Sequence, residues 1–310
     1  MSVARKFLLA MSTNAWLRER ATRTAFVHRS VSAFMPGERL EDAMAAAAAQ
    51  QQLGIGTIFT KLGENLTRVE DAEEVTRHYL DVMDRAQTAG LRAQISVKPT
   101  QLGLDLDNEC CYWNLQRLVD RAAERNTFVW IDMESSPYVD PTLDLFRRTR
   151  TRSPLVGIAL QAYLVRTAQD IETLIPLGSA IRLVKGAYLE PTSVAYPKKA
   201  DVDENFYTLS CRLLSDEAQR AGGLLHMATH DPVLADRLAA FIDRKQAPAT
   251  AYEFAMLYGI QCPLQRRLVQ AGRPLRVLIA YGESWFPWYM RRLAERPANV
   301  WFVVKNVFAR

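Results

Sequence analysis

The stretch AIRLVKGAY, residues 180–188, sets the pattern for the whole chain. A mostly apolar run ends at Lys185 and Gly186 follows it directly, which is typical of a buried β-strand that leads into a turn. Arg182 lies inside the run, and a charge in a buried strand is costly unless it meets a partner or a ligand. Gly186 also permits a ligand to approach the backbone closely. The stretch therefore predicts a strand whose carboxyl end takes part in a binding site.

Seven similar segments occur along the chain, and an amphipathic segment typical of a helix follows each of the eight. Eight such units in about 240 residues predict an α/β protein with a (β/α)8 TIM-type barrel. An open doubly wound sheet is the alternative, and the lack of a GxGxxG turn after any strand disfavours it. The predicted helices lie near 70–89, 109–125, 141–150, 167–176, 203–221, 231–244, 263–271 and 284–296. The predicted strands are Gly56–Lys61, Ala93–Lys98, Phe128–Asp132, Val156–Leu160, Ala180–Lys185, Leu224–Ala228, Ala251–Phe254 and Arg276–Ala280.

The organisation along the chain is that of one structural domain. Residues 1–53 are expected to form extra N-terminal helices that pack on the barrel, and residues 54–310 are expected to form the barrel with its C-terminal helix. No composition shift or Pro/Gly-rich linker divides the repeating units. The helix predicted over 2–35 is amphipathic and basic, so a membrane-surface role is the alternative to packing on the core.

Composition limits the class of partner and the compartment. The net charge is +5, but the basic residues are scattered among acids, so a nucleic-acid partner is not expected. The four cysteines form no CxxC pair, which fits a reducing cytoplasm and predicts neither a zinc site nor a disulfide framework. No segment reaches membrane-spanning length. A cytoplasmic protein is expected, with a peripheral position on the inner face of the cell membrane as an option.

Polar residues end most of the predicted strands, which is where the active site of a (β/α)8 barrel lies. Basic groups with few carboxylates suit an anionic ligand. Lys98 and Asp132 end adjacent strands and are expected to form a buried ion pair. Lys98 or Lys185 is alternatively a Schiff-base nucleophile, as in barrel aldolases. No metal site is predicted. The strand-end candidates are Lys61, Lys98, Asp132, Glu134, Gln161, Tyr163, Lys185, Tyr188, Thr229, His230, Glu253 and Tyr281.

The last predicted helix carries the adjacent arginines Arg291 and Arg292 behind several aromatic residues. Each guanidinium is a planar fork that matches a carboxylate. Two neighbouring positions of a helix converge on one ligand only if the helix lies across a cavity. An exposed helix on the outside of the barrel, with Glu295 as an ion-pair partner, is the alternative from the residues alone.

Several motifs, in a fixed order, resemble those of the flavin-dependent proline dehydrogenases in their small monofunctional bacterial form. The similarity extends over about residues 50 to 305. The combination of RLVKGAY with an RRxxE helix is specific. The matching segments are SVK (96–98), IDMES (131–135), LQAYL (160–164), IRLVKGAY (181–188), ATHD (228–231), YEFAMLYG (252–259) and YGESWFPWYMRRLAERPANVWF (281–302).

The resemblance implies FAD over the barrel mouth, with the last helix lying across that mouth. It also implies oxidation of L-proline to Δ1-pyrroline-5-carboxylate, with electrons passing to a quinone. Asp132 and Arg182 match active-site positions, and Arg182 is expected beside the flavin. The positions that match substrate contacts are Lys98, Arg291 and Arg292 for the carboxylate and Leu257, Tyr281 and Trp288 for the ring. Those that match FAD contacts are Met133, Gln161, Arg182, Lys185, Gly186, Ala187, Thr229 and His230.

Three positions depart from the family pattern around the ring pocket. Leu278 stands where the family usually has a tyrosine, Leu189 where an aromatic residue often follows KGAY, and Trp288 at a helical tyrosine position. These changes leave open a relative that acts on hydroxyproline or on another cyclic or N-alkyl amino acid. A cofactor-free Schiff-base lyase and a non-catalytic anion-binding barrel are the other hypotheses.

Overall fold

A computed structural model describes residues 31, 34–63 and 66–295, with side chains up to Met290. Its centre is a closed barrel of eight parallel strands in which each strand pairs with the next along the chain and β8 pairs with β1. The predicted (β/α)8 barrel is confirmed. The strands are β1 Gly56–Lys61, β2 Ala93–Val97, β3 Val129–Ile131, β4 Val156–Gln161, β5 Ala180–Val184, β6 Leu224–Ala228, β7 Tyr252–Leu257 and β8 Leu275–Tyr281.

Helices surround the barrel, and their apolar faces pack on the outward-facing side chains of the strands to form the main core. Four of them are strongly amphipathic surface helices of the kind the periodicity predicted. The helices are α1 Leu40–Gln52, α2 Val69–Thr88, α3 Asn108–Glu124, α4 Val139–Arg150, α5 Thr167–Leu174, α6 Lys199–Leu213, α7 Asp216–Arg220, α8 Pro232–Lys245, α9 Cys262–Gln270 and α10 Trp285–Glu295.

Two predicted boundaries were wrong. The single helix predicted over 203–221 is two helices, because the Ser215 side chain accepts a hydrogen bond from Ala218 N and starts α7 anew. The seventh strand was predicted to end at Phe254, but β7 continues to Leu257. Glu253 consequently lies at the start of β7, at the end of the barrel opposite the mouth.

The last helix, α10, lies at the carboxyl end of the strands, as predicted. Its Trp288 lines the cavity there, and its aromatic residues form a small apolar cluster with Val31, Met35 and Leu62. Trp285 Nε1 donates a hydrogen bond of 2.7 Å to Glu38 Oε1 in the segment that leads into α1. Most of the helix predicted over 2–35 lies outside the described residues. No helix in the described ranges combines the length and the apolar character that crossing a membrane requires.

Candidate active site

A cavity of about 1560 Å³ opens at the carboxyl ends of the strands and extends along the loop between β5 and α6. It gathers side chains that are distant in sequence. Among the residues predicted for the site, it is lined by Lys98, Asp132, Met133, Gln161, Arg182, Lys185, Gly186, Ala187, Thr229, His230, Leu257 and Trp288.

Arg182 and Asp132 form the centre of the polar side of this cavity. The Arg182 Nη2 group donates to Asp132 Oδ1 and to Ser96 Oγ, the latter at 2.8 Å. Ser96 Oγ in turn donates to Asp132 Oδ1 at 2.8 Å. Burial lowers the pKa of Arg182 and the Asp132 carboxylate opposes that shift. Because a guanidinium does not lose its proton in proteins, Arg182 supplies a fixed, buried positive charge.

The buried Nη1 atom of Arg182 has no hydrogen-bond partner among the described residues. An unsatisfied buried donor costs about 1–3 kcal/mol, so this atom is prepared to donate to a ligand.

Lys98 is the second cation beside Asp132. Its Nζ lies 3.6 Å from Asp132 Oδ2, and both side chains are largely buried. The predicted ion pair between these strand ends is therefore present. Asp132 thus holds two cations, one through each carboxylate oxygen, and fixes both at the wall of the cavity.

Glu134, two residues after Asp132, is buried and does not line the cavity. Burial raises the pKa of Glu134, and hydrogen bonds from the Thr100 amide and hydroxyl, 3.1 and 2.7 Å long, oppose the shift. Gln161 Nε2 donates to the Glu134 carbonyl at 2.8 Å. These contacts fasten the loop after β3 to its neighbours and so fix the end of β3 that bears Asp132.

A cluster of two lysines and two aspartates borders the outer arm of the cavity. Lys185 Nζ lies 2.5 Å from Asp203 Oδ1 and 3.4 Å from Asp231 Oδ2, and Lys199 contacts the same two carboxylates. Asp231 also caps α8, since its Oδ1 accepts from the amides of Val233 and Leu234 and Pro232 follows at the first helical position.

Gly186, directly after Lys185, has φ +114°, and a Cβ there would lie 2.3 Å from Tyr163 Cδ1. Glycine is therefore required at this turn in the cavity wall.

His230 joins two of the strand ends. Its Nε2 accepts a hydrogen bond of 2.9 Å from Leu257 N, so this ring nitrogen is unprotonated. The contact fixes the ring orientation at the cavity edge.

The opposite wall of the cavity is apolar. Ile58 and Leu278 face inward from the paired strands β1 and β8, and Trp288 approaches from α10. Small side chains on three further strands, Ala159, Ala228 and Ala255, widen the floor. The site therefore combines a cationic side with an apolar side, which suits a small ring that carries a carboxylate.

The family model described as proline dehydrogenase matches residues 43–305. The chain belongs to the proline dehydrogenase family. It is 33% identical to Proline dehydrogenase 2 of Bacillus subtilis subsp. natto over 307 residues, which is 99% of each chain. It is 36% identical to Proline dehydrogenase of Deinococcus radiodurans over 279 residues, 88% of each chain. The family resemblance predicted from the motifs is confirmed.

Solved structures show the same fold at lower identity. Proline utilization A from Bdellovibrio bacteriovorus, inactivated by N-propargylglycine, superposes with a TM-score of 0.80 at 21% identity over 91% of this chain. The Bradyrhizobium japonicum protein, in its mutant D778Y, gives a TM-score of 0.74 at 21% identity. This proline dehydrogenase family member spans about a third of the length of those chains, 34% and 32%.

Four strand-end candidates do not lie at the cavity. Lys61, Glu134, Glu253 and Tyr281 are absent from its wall. Tyr281 was expected at the ring, but strand alternation turns it outward, because Leu278 and Ala280 occupy the inward positions. Its hydroxyl lies 2.7 Å from His78 Nε2 on α2, and its ring packs edge-on against Phe59.

The side chains of Arg291 and Arg292 lie outside the described part of the chain. Their backbone belongs to α10, whose Trp288 reaches the cavity three residues before Arg291.

Sequence reasoning missed several residues that shape the site. Ser96 is two residues before Lys98 on an inward face, so strand alternation would have placed it in the barrel. Phe34 lines the cavity from the segment before α1, and Asp203 pairs with Lys185 from α6. Neither Phe34 nor Asp203 carries a local signal, because only the folded chain brings these segments to the mouth.

Proposed function

We propose that this protein oxidises L-proline to Δ1-pyrroline-5-carboxylate with FAD as its cofactor, the first step of proline catabolism. Family membership over nearly the whole chain gives the substrate class. The observation that carries the proposal is the buried, charged Arg182, which is fixed by Asp132 and has a buried Nη1 atom without a partner in the described residues. A fixed donor at the mouth of a barrel is what an electron-accepting ring needs beside it.

The chemistry of the donors fits FAD. Arg182 offers a donor to the flavin edge. Lys198, which lines the outer arm, offers positive charge to the diphosphate, and Lys185, whose charge Asp203 and Asp231 balance, offers an N–H donor. His230 and Gln161 supply further polar groups at the wall, and the cavity is large enough for a dinucleotide beside a small substrate. When bound, FAD would accept the hydride from the ring CH2 that is bonded to the proline nitrogen, and the nitrogen would lose a proton as the C=N bond forms.

Residues of this chain bind and orient the substrate. Lys98, at the cavity wall, would bind the proline carboxylate. Arg291 and Arg292 on α10 are proposed to bind the same carboxylate. The apolar wall formed by Ile58 and Leu278 receives the ring and excludes water. Because the carboxylate is held on the cationic side and the ring on the apolar side, the position of the carbon that loses hydride is fixed.

The electron acceptor is proposed to be a membrane quinone. The protein would then work as a peripheral protein on the inner face of the membrane, with the N-terminal segment as the membrane contact. This part rests on the family resemblance alone. Reoxidation of the reduced protein by a soluble quinone, and sedimentation with lipid vesicles, test it separately from proline oxidation.

Anaerobic titration with L-proline tests the main proposal. Purified protein is expected to be yellow and to lose its flavin absorbance when proline is added. N-propargylglycine, which inactivates the Bdellovibrio bacteriovorus relative, is expected to bleach the flavin irreversibly. Protein that takes up no FAD, or flavin that proline does not reduce, would refute the proposal.

A relative that prefers hydroxyproline is the second candidate, and Leu278 is the observation that favours it. This residue leaves the apolar wall without the tyrosine common in the family. The same titration, run with a panel of cyclic and N-alkyl amino acids, decides between the two substrates.

A Schiff-base lyase is disfavoured, because Lys98 and Lys185 are each paired with a carboxylate. An ammonium in an ion pair has no lone pair for attack. Trapping with borohydride and a carbonyl substrate would reveal such a nucleophile.

A further inference from the structure

A tryptophan fills the inside of the barrel directly below Arg182. Trp130 faces inward from β3, two residues before Asp132, and is completely buried. Its register partner on β4 is Gly157. A Cβ at Gly157 would lie 2.6 Å from Trp130 Cζ3, so the glycine provides the space that the indole occupies. A large indole opposite a glycine is a matched pair, and that match fixes where the indole lies.

Two polar side chains hold the indole in place. Trp130 Nε1 donates a hydrogen bond of 2.7 Å to Gln94 Oε1 on β2. The His226 ring packs on the indole with 4.2 Å between centroids. His226 Nε2 lies 2.9 Å from Glu253 Oε2, and Glu253 also accepts from Arg276 Nε at 2.8 Å.

The protonation of this pair follows from burial and charge. Burial lowers the pKa of His226, so the ring is neutral and donates from Nε2 to the ionised Glu253. The ring that packs on Trp130 is therefore itself held at one end by a charge-assisted hydrogen bond.

The Arg182 guanidinium rests on this indole. Its central carbon lies 5.3 Å from the Trp130 ring centroid, within cation–π range. Asp132 and Ser96 bind the Nη2 end of the same guanidinium. These contacts restrain the guanidinium in different ways. The hydrogen bonds fix its Nη2 end, and the indole fixes the tilt of the guanidinium plane and its position along the barrel axis.

We propose that Trp130 is a positioning residue for Arg182, with the indole acting as a shelf that holds the guanidinium at the height from which it donates to the flavin. The proposal rests on the proposed function, because it assigns Arg182 to the flavin edge. The carboxylate end of the substrate is held by other groups. Loss of the shelf therefore affects the redox properties of the bound flavin and the rate of its reduction, and leaves proline binding largely intact.

The test compares Trp130→Leu and Trp130→Phe with Phe128→Leu in the FAD-loaded enzyme. Phe128 is the matched control: its ring is 5.0 Å from Trp130, on the same face of the chain, one layer further from the mouth. Trp130→Leu is expected to lower kcat for proline about 10-fold or more, with KM changed less than about threefold. The midpoint potential and absorption spectrum of the bound FAD are expected to shift in Trp130→Leu and to match wild type in Phe128→Leu.

Two further variants leave Trp130 in the chain and disturb only its support. Gln94→Leu removes the acceptor for Nε1, and Gly157→Ala forces the indole away from β4. Both are expected to shift the potential in the same direction as Trp130→Leu, by less. If Trp130→Leu does not fold, Trp130→Phe and Gln94→Leu carry the test.

Wild-type kcat, potential and spectrum in the Trp130 and Gln94 variants would overturn the proposal. Equal shifts in the Phe128 control would also overturn it, because they would indicate a general packing effect. If the proposed function itself is wrong, the result is different: the wild-type protein takes up no FAD, or proline does not reduce its flavin.

Discussion

Arg291 and Arg292 are adjacent on α10, and adjacent helical residues point about 100° apart. Two such side chains can face one ligand only if their helix lies across a cavity, and Trp288 of α10 lines the cavity at the barrel mouth. Arg291→Met and Arg292→Met are each expected to weaken proline binding by about 2–5 kcal/mol, since each would remove a charge-assisted contact in a desolvated site. FAD affinity should change little.

Steady-state KM for proline and FAD binding by fluorescence measure these two effects. Arg237→Met, on α8, is the control, because neither Arg237 nor its exposed partner Glu204 lines the cavity. Wild-type KM in both α10 variants would remove these arginines from the substrate site.

Leu278 lies on the apolar side of the cavity, where we propose that the substrate ring binds. It faces inward between Ile58 on β1 and Leu257 on β7, its register partners. Leu278→Tyr is expected to raise kcat/KM for proline roughly 10-fold if a tyrosine hydroxyl improves the fit of the pocket. Leu278→Phe is the matched control, since it adds the ring without the hydroxyl. A fall in activity with Leu278→Tyr would indicate a pocket adapted to a different substrate.

The turn after β5 sets the shape of the outer arm of the cavity. Gly186→Ala would place a Cβ 2.3 Å from Tyr163 at φ +114°, so the backbone or the tyrosine must move. We expect a stability loss of about 1–3 kcal/mol together with a lower FAD content after purification. Gly222→Ala is the control, because Gly222 also has positive φ, +85°, but nothing lies within 4 Å of the added Cβ.

Urea unfolding and the flavin-to-protein absorbance ratio separate the two effects. The control variant should lose some stability and keep its flavin. Full flavin content in Gly186→Ala would show that this turn does not shape the cofactor site.

The sequence predicted where a helix begins or ends when residues within one turn of that point set the boundary. Asp231 and Pro232 begin α8 at the start of the helix predicted near 231–244, because the cap and the proline act within one turn. The start of α7 was missed, although Ser215 caps it in the same way. The apolar run Ala255–Leu257 was missed in β7, because a buried charge at Glu253 resembled a strand end.

For the whole molecule, polar groups run through the barrel from Arg276 at its base to Asp132 at its mouth. Burial alone would raise the pKa of Glu253, but the hydrogen bond from His226 and the charge and hydrogen bond of Arg276 lower it from 4.5 to about 2. A carboxyl group whose pKa is lower in the folded chain stabilises the fold fully above 4.5 and loses that contribution as the pH falls towards about 2. The lowered pKa of His226 acts in the same direction, because acid protonates it more readily in the unfolded chain.

Glu253→Gln is therefore expected to lower the free energy of unfolding at neutral pH by about 3–5 kcal/mol, since it leaves the Arg276 charge buried without its partner. Below 4.5 the variant should also lose less stability with falling pH than wild type. Urea unfolding across this range measures both. Glu204→Gln, at an exposed ion pair, is the control and should follow wild type. Parallel acid curves for Glu253→Gln and wild type would contradict the assignment.

The sequence by itself determined the barrel and the family, because short apolar strand runs and helical patterns are local and repeat eight times, and the motifs are contiguous. It also placed Lys98 and Asp132 at the ends of adjacent strands and Arg182 inside the fifth strand. Only the tertiary structure decided that Tyr281 faces His78, that Asp203 reaches Lys185, and that Trp130 lies under Arg182 opposite Gly157. These contacts join residues from different units, and their geometry depends on barrel closure and side-chain volume, which no local pattern records.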